Sequence, residues 1–116
     1  MFGRRVPKSS ARVAAYGAVD ELSAALGLAR AASGDPKVSE ALLTFQRELI
    51  AVMGELATDE RDRARYLESG YAQLTEAAIE ALESMTYEIE LQSPPISDWI
   101  LPGGTELGAR LHFART

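Results

Sequence analysis

Four basic side chains crowd the first twelve residues of the chain, and they are its first candidates for chemistry. Arg4, Arg5, Lys8 and Arg12 lie in one short stretch, whereas the acidic residues are spread along the rest of the sequence. Cations clustered in this way can hold an anion such as a phosphate group. The same cluster could instead be a basic flexible tail, and composition alone leaves both interpretations open.

The only histidine, His112, restricts the catalytic chemistry that the chain can carry. A di-iron site of the Glu-x-x-His type is excluded, because Ala109 stands three residues before His112 and Arg115 three after it. A Ser-His-Asp triad would depend on the same side chain, and no serine lies in a strand-turn-helix context. The sequence also lacks a Walker-type loop and has no cysteine. We predict no metal site built from its side chains.

The composition is that of an ordinary globular domain, with 47% hydrophobic and 25% charged residues. We interpret residues 1–116 as a single domain. A net charge of −5 argues against nucleic acid or an anionic membrane surface as a partner. No apolar run approaches the roughly 20 residues that cross a membrane, and the absence of cysteine removes any need for an oxidising compartment. We therefore predict a cytoplasmic protein.

Hydrophobic residues recur every three or four positions and predict helices along most of the chain. The first helix is expected from Val13 to about Ala32. The second carries the clearest seam, which comprises Val38, Leu42, Phe45, Leu49, Val52 and Leu56. Between them, Gly34 is expected in a left-handed turn, and Pro36 at the start of the second helix. The charged stretch from Asp59 to Arg65 predicts a solvated connection or an exposed helical turn.

A third long helix is predicted with Thr75 as its N-cap and Glu76 in its first turn. Its inward-facing stripe is expected to comprise Ile79, Leu82, Met85, Thr86 and Ile89. Pro94 and Pro95 end it. After a loop from Ile96 to Gly104, a further helix begins, in which Glu106 and Arg110 form a favourable pair one turn apart. No segment shows the alternation of a strand, so the sequence predicts an all-α fold, most simply an up-down helical bundle.

Three local patterns, in this order and at this spacing, resemble the signature segments of the ATP:cob(I)alamin adenosyltransferases of the propanediol-utilisation type. They are Gly3-Arg4-Arg5-Val6-Pro7-Lys8 with the helix start that follows, Trp99-Ile100-Leu101-Pro102-Gly103-Gly104, and Leu111-His112-Phe113-Ala114-Arg115-Thr116. The resemblance spans essentially all 116 residues. It implies a five-helix bundle that assembles as a homotrimer and binds ATP, with Mg²⁺, and the corrinoid where two subunits meet.

The resemblance also implies roles for individual residues. Lys8 belongs to the phosphate environment of ATP, with Arg12 close by, and a point-charge ammonium suits a triphosphate leaving group. Asp20 matches an acid that pairs across the subunit interface with the arginine matched here by Arg115. Trp99 stands where the family usually has Phe, an aromatic that covers the lower face of the corrin and keeps the nucleotide base off cobalt.

Plainer interpretations stand beside these roles. Asp20 could lie on a solvated helix face, and Trp99 could plug the core beside its Pro-Gly-Gly turn. His112 is expected to pack or to form hydrogen bonds, because the implied reaction needs no base: cob(I)alamin itself attacks the ribose C5′ of ATP. Two rival functions share every predicted helix, a non-catalytic helical interaction module and a corrinoid-binding relative without transferase activity. The patterns at Lys8 and Trp99 argue against a mere bundle.

The chain departs from the family pattern in three places. A Thr-Gly-Asp loop before Met1 and an Arg-Arg-x-Glu-Arg run after Thr116 are missing, and Ala14 stands where Glu is common. The last helical pattern is cut off without a stop signal. We therefore interpret the domain as incomplete at both ends, and expect the transferase activity of the complete protein rather than of this stretch alone.

Overall fold

The computed structural model describes all residues from Met1 to Thr116, and every regular element in it is helical. The predicted all-α fold is confirmed. Five helices, α1 to α5, occupy Ala11–Ala31, Pro36–Leu56, Arg63–Glu68, Glu76–Gln92 and Glu106–Arg115. A 3₁₀ turn, Glu60–Asp62, leads into α3.

The body of the fold is the antiparallel pair of α1 and α2. Near the middle of the pair, Gln46 Nε2 donates to the Ser23 carbonyl at 2.8 Å. The buried side chains of the pair are mostly small, and they are Ala25, Ala29, Leu42 and Ala51. Leu42 is the one residue of the predicted α2 seam that is fully buried, and the other five are half-buried. Small side chains at the contact allow the two backbones to approach closely, so α1 and α2 form a thin core.

The helix starts follow the expected side chains. Pro36 takes the first position of α2, and the Asp35 carboxylate accepts the Lys37 backbone N–H at 2.7 Å. The predicted Thr75 cap of α4 is confirmed by its hydroxyl, which accepts from the Ala78 N–H at 3.2 Å. The expectation for Gly34 was wrong, because its φ is not positive. The turn is instead made by side-chain bonding, since the Asp35 N–H donates to the Ser33 hydroxyl at 3.2 Å.

The charged connection after α2 is folded more tightly than the sequence predicted. It contains α3, whose Tyr66 is only 3% exposed. The Tyr66 ring stacks on Tyr71 with centroids 5.7 Å apart, and its hydroxyl donates to the Ala72 carbonyl. The ring reaches this position across Gly54 of α2, where a Cβ would overlap the hydroxyl. Glycine at 54 is therefore required for the close approach of α3.

The inward-facing stripe predicted for α4 was wrong, because α4 buries no residue. Of the five predicted residues only Met85 is half-buried, and Ile89 is 59% exposed. The N-terminal half of α4 approaches the α1–α2 pair, where Ile79 and Leu82 line an open apolar cavity of about 400 Å³. The C-terminal half stands away from the pair. The sequence period correctly marks an apolar face, but in this chain the α1–α2 pair lies near only its N-terminal half.

The last helix, α5, packs against α1. Thr105 caps it by accepting the Gly108 N–H at 3.0 Å, and the predicted pair forms between Arg110 and Glu106 at 2.6 Å. The C-terminal end of α5 lies beside Ala18, Leu22 and Ala25 of α1, with which it lines a small cavity. The three packed helices α1, α2 and α5 therefore position both the basic N-terminal residues and Arg115.

Candidate functional site

Residues 1–10, here called the N-terminal segment, lie against the junction of α2 and α3. The Met1 nitrogen donates to the Ala57 carbonyl at 2.6 Å. Arg4 forms a two-pronged ion pair with Asp62, in which Nη2 and Oδ1 are 3.1 Å apart. The interpretation of the basic cluster as a free tail was therefore wrong, because side-chain contacts fasten it to the bundle.

An aromatic contact adds to this attachment. The guanidinium carbon of Arg65 lies 4.4 Å from the centroid of the Phe2 ring, within the range of a cation–π interaction. The Phe2 ring also contacts Tyr71, with centroids 6.3 Å apart and the ring planes tilted by 53°. Phe2 adopts a φ of 55°, a left-handed conformation that a side-chain-bearing residue keeps only when its surroundings hold it there. The start of the chain therefore contacts α3 and the residues on either side of it through Phe2 as well as through Arg4.

Arg12, predicted near the ATP phosphates, bonds the end of α2. Its Nη1 donates to the Thr58 carbonyl and, at 3.4 Å, to the Leu56 carbonyl. Carbonyl groups at a helix C-terminus lack partners within the helix, and a cation there also suits the helix dipole. Part of the hydrogen-bonding capacity of Arg12 is therefore used within the chain.

Lys8 and Arg5 are the basic residues of the segment that remain free. Both are exposed, and neither forms an ion pair, since the three ion pairs of the chain join Arg4 to Asp62, Asp59 to Arg61 and Glu106 to Arg110. The Lys8 side chain is therefore presented to solvent. The sequence analysis named Arg5 as a member of the basic cluster but predicted no individual role for it.

The charged residues around the junction hold one another ionised. Hydrogen bonds from Arg4 lower the pKa of Asp62, and those from Arg61 lower the pKa of Asp59. The same bond to Asp62 raises the pKa of Arg4. Asp62, Asp59 and Arg4 are therefore charged at neutral pH, and Arg4 is not available to a ligand.

A cavity of about 480 Å³ lies beside this junction between α1, α2 and α3. Its charged lining consists of Arg12, Glu55, Asp59, Glu60 and Arg63. Three carboxylates face two guanidinium groups, and one of these already bonds the end of α2. With three carboxylates among five charged side chains, this lining is net negative and does not favour an anion.

Asp20 and Arg115 are both exposed and form no ion pair with each other. Around α1, Asp20 lies about half a turn from Leu22, beside which α5 ends. The structure therefore does not bring the two residues together within one chain. Arg115 instead approaches His112, with 3.5 Å between Nη2 and Nε2, and His112 is half-buried.

Trp99 is 94% exposed, so the interpretation of its ring as a core plug was wrong. Its backbone N–H donates to the Asp98 carboxylate at 2.7 Å. Ile100 and Leu101 beside it are 61% and 86% exposed. These three apolar side chains are therefore gathered on one exposed loop. The shallow cavity at this loop is lined by residues 96–100 alone, so it is not shared with Lys8.

The arrangement of side chains and the character of the helices also bear on metal ions and membranes as partners. No group of three or more His, Asp or Glu side chains is placed to hold a metal ion. None of the helices combines the length and the apolar character that crossing a membrane would require.

Comparison with known proteins gives a consistent result over the whole chain. A family model described as cobalamin adenosyltransferase matches residues 1–116. The corrinoid adenosyltransferase PduO of Citrobacter freundii is 39% identical, over 98% of this chain and 33% of that protein. The corrinoid adenosyltransferase of Bacillus subtilis is 37% identical, over 100% of this chain and 58% of that protein. The chain thus spans about a third of the first relative's length and somewhat over half of the second's.

Proposed function

Because the chain belongs to the cobalamin adenosyltransferase family, we propose that the complete protein transfers the 5′-deoxyadenosyl group of ATP to cob(I)alamin. In this reaction a Co–C bond forms at C5′ while the C5′–O bond breaks, and its electron pair leaves on triphosphate. The products are adenosylcobalamin and free triphosphate. The observation that carries the proposal is an anchored N-terminal segment that presents two free cations, Arg5 and Lys8.

Lys8 is proposed to neutralise the charge that develops on the leaving triphosphate. Most of this charge is already present on the triphosphate of bound ATP, so Lys8 contributes mainly to affinity. A cation held in place loses less conformational freedom on binding than a mobile one. Arg4 and Arg12 hold the residues on either side of Lys8, so the ammonium group is carried by a defined stretch of backbone. Arg12 remains close to the phosphates in this arrangement and adds to the positive field.

Trp99 is proposed to cover the lower face of the corrin, where the family usually has Phe. Its 94% exposure supports this role, because an apolar ring of this size in solvent gains from burial against a ligand. Ile100 and Leu101 extend the same apolar surface. The ring would form a barrier between cobalt and the displaced nucleotide base.

Asp20 and Arg115 are proposed to pair between subunits of a homotrimer. The support is that both are exposed, unpaired and placed apart within one chain. A salt bridge between neighbouring subunits would place the end of α5 at a shared site. The uncovered apolar face of α4 also indicates that the chain by itself leaves apolar surface in need of a partner.

The other possible partners are Mg²⁺, nucleic acid and a membrane surface. Mg²⁺ finds no group of protein ligands in this chain, so we propose that it enters on the phosphates of ATP, a common mode for this ion. The net charge of −5 supports a protein that binds neither nucleic acid nor an anionic membrane surface, and a cytoplasmic location remains our prediction.

The test is the rate of adenosylcobalamin formation by the complete protein under reducing conditions. Lys8→Ala should raise the KM for ATP about tenfold, because hydrogen bonds to charged groups contribute about 1.5–3 kcal/mol. The effect should shrink at high ionic strength. The matched control is Lys37→Ala, since Lys37 is the other lysine of the chain and lies at the start of α2.

Each outcome distinguishes the rival functions. An unchanged KM for ATP in the Lys8 variant would contradict the phosphate assignment. Corrinoid binding without product would favour a corrinoid-binding relative that lacks transferase activity. Failure to bind either substrate would favour a helical interaction module.

A further inference from the structure

The two free cations of the N-terminal segment lie between two attachment points. On one side, Arg4 pairs with Asp62 in the 3₁₀ turn. On the other side, Arg12 bonds carbonyls at the end of α2. Both attachments are made to the same junction of α2 and α3. The stretch from residue 5 to residue 10 is therefore a short loop with fixed ends.

We propose that Asp62 is a positioning residue for the triphosphate of ATP, because its pair with Arg4 fixes the loop that carries Arg5 and Lys8. The inference rests on the proposed function and extends it to an acidic residue that never contacts the nucleotide. An acid would repel a phosphate directly. Through Arg4, however, Asp62 restricts the positions that the free cations can take.

The geometry singles out Asp62 among the acids of its turn. Its side chain is 13% exposed and receives two hydrogen bonds from the Arg4 guanidinium. Asp59 is bonded to Arg61 instead. Glu60 is exposed and forms no ion pair. A two-pronged bond fixes orientation as well as distance, which a single contact to a lysine would not.

The energetic consequence concerns binding rather than chemistry. A loop fixed at both ends has fewer conformations to lose when it closes on a ligand, so pre-organisation improves affinity. Releasing the Arg4 end should leave Arg5 and Lys8 in the protein but spread them over more positions. The Kd for ATP should rise, whereas the rate at saturating ATP should change little.

The experiment measures ATP binding and turnover of the complete protein carrying Asp62→Asn. The Kd and KM for ATP should rise about two- to fivefold, the ratio expected from a partly exposed ion pair, with kcat and the KM for corrinoid nearly unchanged. Arg4→Gln should have the same effect, and the double variant should be no weaker than either single one. Asp62→Glu should recover part of the affinity.

Glu60→Gln is the matched control, because it removes the same charge from the same turn without touching Arg4. Trypsin cleavage after Arg5 should also accelerate in Asp62→Asn and not in Glu60→Gln. This cleavage rate measures the mobility of the loop independently of enzyme activity. Equal Kd values for the Asp62 and Glu60 variants would overturn the inference. So would a fall in kcat for Asp62→Asn that tracks lost helicity, since that is a general folding defect. A wild-type protein that binds ATP but transfers nothing would overturn the proposed function alone.

Discussion

Replacing Gly54 with alanine is expected to destabilise the chain, although alanine favours a helix over glycine by about 0.8–1.0 kcal/mol. The added Cβ would overlap the Tyr66 hydroxyl and lie 3.2 Å from Cζ. Tyr66 is 3% exposed and bonded to the Ala72 carbonyl, so its ring cannot move outward without losing that bond. Overpacking costs about 1–3 kcal/mol and a lost hydrogen bond about 0.5–1.5 kcal/mol. After the helix preference is subtracted, the free energy of unfolding should fall by about 0.5–4 kcal/mol.

Urea unfolding followed by circular dichroism measures this change. Gly17→Ala is the matched control, because Gly17 lies inside α1 with no atom within 4 Å of an added Cβ. That variant should gain up to about 1 kcal/mol. Adding Tyr66→Phe to Gly54→Ala removes the closest overlap, so the double variant should be more stable than the sum of the two single changes predicts. A Gly54→Ala variant as stable as Gly17→Ala would refute the packing argument.

Three further predictions concern the site. Trp99→Ala should lower the four-coordinate, base-off fraction of Co(II)alamin bound with ATP, read by electron paramagnetic resonance, and Trp99→Phe should keep the rate. Because the ring is 94% exposed, stability should shift by no more than about 0.5 kcal/mol, and an unaltered signal would show that another group holds the base away. Asp20→Ala should weaken the trimer in analytical ultracentrifugation, whereas a wild-type protein that is only monomeric at micromolar concentration would contradict the pairing with Arg115. Acid should release the N-terminal segment, because Arg4 lowers the pKa of Asp62. The stabilisation is complete above the ordinary carboxylate pKa of about 3.9 and is lost as pH falls through the lowered value. The dependence of unfolding on acidic pH should therefore be shallower in Asp62→Asn, and an unchanged slope would count against the pair.

Local chemistry made much of the helical architecture predictable. Pro36 and Thr75 begin helices because their side chains suit the first turn, whatever the rest of the chain does. The pair of Glu106 and Arg110 depends only on the spacing of one helical turn. Lys8 and Trp99 belong to short sequence motifs, so they could be identified as candidate site residues before the fold was known.

The contacts that the sequence could not predict join residues far apart in the chain. Arg4 meets Asp62, and Tyr66 packs over Gly54, because the α1–α2 pair brings these segments together. On α4, the hydrophobic period predicted the apolar face but not its burial. It marks which face is apolar, but it does not say whether a neighbour in the same chain covers that face, as Ile89 shows.

The exposure of α4 has a consequence for how the chain opens. No buried side chain of α4 shields its backbone hydrogen bonds from solvent. Helices α1 and α2, in contrast, contain four buried residues, Ala25, Ala29, Leu42 and Ala51. Amide protons of α4 should exchange with solvent through local fraying, and those of the pair only through larger openings. The loop with Trp99 continues directly from α4 and ends at the packed helix α5. One end of this loop is therefore joined to a helix of low local stability, so the loop can change its shape without disturbing the α1–α2 core.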